Sequence, residues 1–410
     1  MNMPSGIRGA LSILVLAGCS DGERQATPSF SVADSGGIQI VTNHAPAWTD
    51  STPWRISQSP TLRLGEIDGP PELSFGNVRA VGYLPDGRIY VGDEQAHAIR
   101  IFSAGGALLE TVGREGEGPG ELQWFLTVSP YRQDSLFVYD YLLRTVSIFG
   151  PDLAFARRFR NPVLAGNYWI SSALSDGRFV VYSPGSSRPP GGPGIVPDSS
   201  LIIVTAPDGA QADTVGAFEV TMKRLASNGR TQALYLQPYA TITTAGNRVL
   251  WTRGKTFEYV EADADGTVRR IVRKVHEPVP VTESIVSNFK THYLDFLSRE
   301  GPEGGEAGLD RVRKSLDEGE YYPTLPATSP DVEVDPLGNR WIGRYRFEGA
   351  VTEEWEVFDS TGVWLGSINT PPGLDVHQIA VDHLIGVARD EFNVPYVQVH
   401  QLNRSSGDDG

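Results

Sequence analysis

Alternating apolar and polar residues, broken by tight polar turns, return about every 45 residues along this chain. The turns lie in LPDGRIYVGD (84–93), YRQDSLFVYD (131–140), LSDGRFVVYS (174–183), TTAGNRVLWT (243–252), VDPLGNRWIG (334–343) and AVDHLIGVAR (380–389). The β-branched and aromatic residues flanking each turn predict a hairpin with one buried face. In five of the six units a second turn follows at a near-constant offset, as in IRIFSAGGALLETVG (99–113) and WEVFDSTGVWLGSI (355–368). Two hairpins make a four-stranded unit that cannot bury its apolar face alone and must stack on its neighbours. Six such units predict an all-β fold, a six-bladed β-propeller. The sixth unit stops without its second turn, and the strand-like segment 52–66 ahead of the first is otherwise unassigned. We therefore expect an N-terminal strand to complete the last sheet and close the ring, which leaves only short, protected edges.

Two stretches break the pattern. Between the fourth and fifth units the apolar period changes from two to about 3.6 residues, which predicts a helical insertion over about 281–320. Ile285, Phe289, Tyr293, Phe296 and Leu297 share one stripe, and Thr282 caps the start with Glu283 in the first turn. A shorter helix runs from about Leu309 to Leu316, separated from the first by the Gly-rich stretch 301–308. This pair reads as a cover for part of the rim or as a lid over a binding face. The second break, PGSSRPPGGPGIVPDSS (184–200), reads as a mobile surface loop inside the third unit.

The N-terminus changes the picture of where the domain works. Arg8, an apolar run from Ala10 to Leu16 and the sequence Leu16-Ala17-Gly18-Cys19 resemble a bacterial lipoprotein signal. That resemblance implies a signal peptide at 1–18 and lipid attachment at Cys19, the only cysteine of the chain. A polar tether then covers 19–35, the propeller 36–404 and a disordered tail 405–410. The expected location is the bacterial envelope, on the periplasmic face or the cell surface. Ser20, where an aspartate would signal inner-membrane retention, favours the outer membrane. A formal charge of −15, made one unit more negative by loss of Arg8, argues against nucleic acid and anionic headgroups as partners. The expected partners are the membrane, through the anchor, and a protein, peptide or glycan ligand.

No recognisable catalytic apparatus is found. GREGEGPGEL (113–122) lacks the spacing of a phosphate loop and carries Glu115, Glu117 and Glu121 against an anion. EADADGTVRRIV (261–272) has Val272 where a calcium loop needs a bidentate glutamate. His276-Glu277 is followed by Pro280 where a zinc helix needs its second histidine. We therefore expect no catalytic residue, cofactor or metal site. Propeller ligands gather where the innermost strands open onto the central channel. There the repeat places Asn77, Arg79, Tyr239, Asp331, Asp375 and His377 as candidate ligand-binding residues. Asn77, Asp331 and Asp375 alternatively suit a divalent cation in a lactonase-like hydrolase or lyase, although no glutamate falls in an obvious register with them.

SGGIQIVTN (35–43), GREGEGPGEL (113–122) and WEVFDSTGVWLGSI (355–368), with the DGRIYVGD-type turns, resemble the bacterial six-bladed β-propeller lipoproteins of the NHL/TolB-like group. The resemblance covers about residues 35–403 and implies a binding surface rather than a defined activity. The long third unit and the helical insertion depart from a simple array of this group.

Overall fold

The computed structural model describes residues 28–49, 54–66, 69–132, 134–165, 168–183, 185, 191–210, 212–300, 305–345 and 354–404. Cys19, the signal segment and the 405–410 tail lie outside the described residues. Among those described, the strands form six sheets of four to six strands and one two-stranded sheet. Sheet I takes Val78–Tyr83, Ile89–Asp93, Ala98–Phe102 and Leu108–Val112 in sequence order. Sheet II takes Phe125–Tyr131, Ser135–Asp140, Thr145–Phe149 and Phe155–Arg160. Sheet III begins with Trp169–Ala173 and Phe179–Tyr182 and continues into a long hairpin, Gly194–Thr205 with Ala212–Leu225. Sheets IV, V and VI start at Ile242–Ala245, Thr328–Val334 and Leu374–Ile379.

Strands consecutive in the chain pair antiparallel in each of the six larger sheets, most of them returned by a short turn; Gly87, at φ +87°, supplies the left-handed residue of the first such turn. The second and third strands of sheets I and II are buried along their whole length, whereas the fourth strands are mostly exposed. Six of the seven apolar clusters each take residues from two of the larger sheets. They join I with II (Tyr90, Phe125), II with III (Tyr139, Phe179), III with IV (Val204, Val249), IV with V (Tyr259, Phe358), V with VI (Trp341, Leu384) and VI with I (Val397, Val91). The first strands also touch in that cyclic order. Sheets packed face to face around an axis in this way are a β-propeller fold. In sheets I, II, IV and V the third and fourth strands slip register by one residue near their shared turn, a bulge that adds twist to the outer hairpin.

The two chain ends meet in sheet VI, where Arg55–Ile56 and Leu62–Leu64 pair antiparallel with Pro395–Asn403. A further N-terminal hairpin, Phe30–Ser35 with Ile38–Asn43, attaches to sheet IV through parallel pairing of Ile38–Asn43 with Val268–Lys274. The tether expectation therefore fails for residues 30–35. Val32 and Ala33 pair with Val41 and Ile40, and Gly36 and Gly37 take positive φ at the turn.

The loop expectation for 184–200 also fails in part, since 194–200 belong to a strand. Asp198 is fully buried there and pairs with Lys223 at 2.8 Å, which anchors the extension. Helix α1 (Glu283–Glu300) and helix α2 (Gly305–Glu318) follow sheet IV in the chain. Helix α2 starts earlier than Leu309, and Gly308 is buried inside it. Phe289 and Leu316 are buried with Leu236, while Phe296 faces solvent, 55% exposed.

Candidate functional site

The ends at which the first strands begin are held by a recurring polar clamp. Asp93, at the close of the second strand of sheet I, accepts the amides of Gly76 and Asn77 at 3.1 and 3.0 Å. Asp140 accepts the amide of Gln123 at 2.6 Å in sheet II, and Thr252 Oγ1 that of Thr241 at 3.0 Å in sheet IV. The Asp or Thr closing YVGD, FVYD and VLWT thus fixes where the chain enters the innermost strand. Burial alone raises the Asp93 carboxyl, but hydrogen bonds from Arg100 and the two amides outweigh this and hold it below the ordinary carboxylate value.

Neighbouring first strands are then stitched together by side chains. Thr127 donates to the Ile170 carbonyl at 3.1 Å, Thr244 to that of Ala173 at 3.1 Å, and Thr241 to that of Pro330 at 2.6 Å. Gln378 Oε1 accepts the Tyr83 amide at 2.6 Å. It reaches that amide over Gly82, where a Cβ would stand 2.7 Å from the same oxygen.

Two chemically different surfaces result. On sheets I to IV a cleft of about 570 Å³ is walled by Trp124, Tyr141, Trp169 and Tyr182, with Arg79, Thr127 and Ser171 as its polar members. Trp124 meets Tyr141 edge to face at 5.5 Å and Trp169 meets Tyr182 at 6.2 Å. Trp124 is 41% exposed and Leu142, next to Tyr141, is 59% exposed, so the rim is apolar as well. Sheets V and VI contribute acids instead. His377 lies 3.7 Å from Asp375, and Ser329 donates to Asp331 at 2.7 Å. Burial pushes the His377 imidazole below its ordinary value against the opposing pull of Asp375 and Asp331. Glu333, two residues beyond Asp331 in the same strand, is half-buried. Burial, reinforced by Asp331, raises its carboxyl to about 8.

The six residues expected at the mouth thus fall into different settings. Arg79 lines the aromatic cleft. Asn77 turns its amide to Glu94 at 2.8 Å, and Arg79 stands 3.9 Å from the same carboxylate. Asp331, Asp375 and His377 share the acidic side. Tyr239 is 47% exposed, hydrogen-bonded to Gln237, and is not part of the cleft. Glu333 follows Asp331 by two residues in the same strand, close enough for the Asp331 charge to act on it. The four aromatic walls were missed because each reads equally well as core. Among the described residues no three His, Cys, Asp or Glu side chains are arranged to hold a metal ion. Glu261, the first acid of the calcium-like sequence, is instead buried against Arg340 at 2.6 Å.

No protein-family model matches the chain, and no curated protein is detectably similar to it. Similarity is found among solved structures. A member of the DUF4221 family from Bacteroides vulgatus is 8% identical, with a TM-score of 0.54 over 87% of this chain and 100% of that one. An exported protein from Bacteroides fragilis is 12% identical at a TM-score of 0.49, covering 89% and 99% of the two chains. Virginiamycin B lyase from Staphylococcus aureus is 7% identical at a TM-score of 0.41, covering 86% and 99%. The likeness to the Bacteroides vulgatus protein is one of fold, in keeping with the β-propeller arrangement of the sheets.

Proposed function

We propose that this chain is a six-bladed β-propeller, anchored in the bacterial envelope through lipidated Cys19, that binds a ligand at the mouth of its central channel. Six apolar clusters joining sheets I to VI in cyclic order support the blade count, and the N-terminal strands on sheet VI support closure of the ring. Helices α1 and α2 are then an insertion between the fourth and fifth blades, and the architecture is that of the NHL/TolB-like lipoproteins. The lipoprotein signal around Cys19 supports the anchor.

The observation that carries binding is the aromatic cleft. Exposed Trp and Tyr faces are costly to leave in water, and a concave apolar surface with a few placed polar groups is how small-molecule and peptide sites are built. The structural features that hold the mouth rigid, the clamps and the threonine stitches, pre-organise it. Hydrogen exchange by mass spectrometry, run on the whole chain against peptides, glycans and small aromatic compounds, tests this. Binders should protect residues 76–79, 123–127 and 169–171. Protection confined to the outer strands or to helices α1 and α2 would refute it.

A further inference from the structure

The cleft presents π faces and hydrogen-bond donors. Arg79 offers a guanidinium only loosely paired with Glu94, whose carboxylate already holds the Asn77 amide at 2.8 Å. Trp169 Nε1 is a buried donor without a partner in the cleft wall. Among the described residues no carboxylate lines the cleft; Asp331, Glu333 and Asp375 stand on sheets V and VI. We propose that the cleft selects a planar aromatic ring bearing a carboxylate, with the ring against the Trp and Tyr walls and the carboxylate at Arg79. This deepens the mouth-binding reading and rests on it.

The chemistry favours this ligand over two others. A cation would profit from the aromatic faces but would meet Arg79 in the same cleft. A neutral sugar carries hydroxyls around its whole rim, and beside the tyrosine hydroxyls and indole nitrogens of the walls the lining offers Arg79, Thr127 and Ser171, with the Thr127 proton already donated to Ile170. A guanidinium pairs with a carboxylate through parallel hydrogen bonds, and an apolar surround strengthens that pairing. The volume of about 570 Å³ lies within the range of sites for small organic ligands. The acids on the far side of the mouth keep the negative end of the ligand on the Arg79 side.

Calorimetric titration of the full chain with 2-naphthoate and with 2-naphthamide, the same ring without the charge, tests the assignment. The acid should bind at least about tenfold more tightly. Arg79→Gln should erase that difference and leave the amide unchanged, whereas Trp124→Ala should weaken both; Arg313→Gln, on the exposed face of helix α2, should alter neither. Circular dichroism and the thermal midpoint establish that each variant is folded. N-acetylphenylalanine and a tripeptide ending in free phenylalanine distinguish the sources. Tighter binding of the first assigns a free aromatic acid and of the second a peptide terminus, and either supports the proposal. Equal affinity for naphthoate and naphthamide, preference for glucuronate, or no binding of either naphthalene to folded protein overturns it. The exchange experiment decides the mouth reading separately, because a ligand of another class would still protect the same strands.

Discussion

At the scale of single residues, carboxylates do two opposite things in this fold. Asp93 is a fully paired buried anion, bonded to Arg100 at 2.8 Å and to two amides. Asp93→Asn strands the Arg100 charge, itself nearly buried, and should cost about 3 kcal/mol in chemical denaturation. Because the folded pKa of Asp93 lies below 3.8, its contribution is present above that value and is lost as pH falls through the lower folded pKa. The variant should therefore show a flatter acid limb in stability against pH. Glu333 works in the other direction. Its folded pKa, about 8, is above its unfolded value near 4.5, so the stability it contributes is complete below 4.5 and is lost as pH rises through 8. Glu333→Gln should match the parent at pH 4 and exceed it by roughly 1–2 kcal/mol at pH 9, discounted for access of solvent to the channel. An unchanged difference across that range would show that Glu333 is not enclosed. Asp93 was legible from the repeated closing residue of its hairpin. The state of Glu333 was not, because enclosure comes from strands far away in sequence.

At the scale of elements, local pattern carried the regular units well. Turn chemistry and period-two alternation mark the hairpins, and the change of period marks helices α1 and α2. What the pattern left out are segments whose partners are remote. Ile38–Asn43 pairs in parallel with Val268–Lys274, and no local spacing announces such a neighbour. Its anchor is Asn43, which donates to the Gly362 and Arg273 carbonyls at 3.0 and 3.1 Å and accepts the Trp364 amide at 2.8 Å. One side chain thereby joins sheets IV and V. Asn43→Ala leaves three backbone groups without partners and should cost about 2–4 kcal/mol, measured by urea unfolding. The outer strand Phe30–Ser35 is exposed throughout, so removing residues 28–35 should change stability by less than about 1 kcal/mol. The aromatic cleft was illegible for a related reason. Trp124 and Trp169 are spaced as core residues are, and only the meeting of sheets I, II and III turns them toward a shared opening.

At the scale of the whole molecule, each sheet offers two apolar faces, so stability depends on having a neighbour on both sides. An open array would leave sheets I and VI each with one bare face; here Val81, Ile89 and Val91 of sheet I pack with Ile385, Val387 and Val397 of sheet VI. The covalent chain does not join these two sheets directly at that seam. The join is made by the segment 54–66, which lays Leu62 to Leu64 on Val397 to Val399 and pairs Ile56 with Leu402. Within it, Leu64 enters the seam between sheets VI and I, and Ile56 enters the cluster between V and VI. Deleting 54–66 removes side chains from two adjacent clusters at once and exposes a strand edge of sheet VI, where a second chain could pair. The thermal midpoint should fall by at least about 10 °C, well beyond the few degrees that 1 kcal/mol moves a domain this large. Exchange should accelerate first in sheets I and VI, the two that lose their seam, and later in sheets III and IV, which are farthest from it. A truncated chain that melted at the parent temperature, or that loosened evenly around the ring, would mean the seam holds without its clasp.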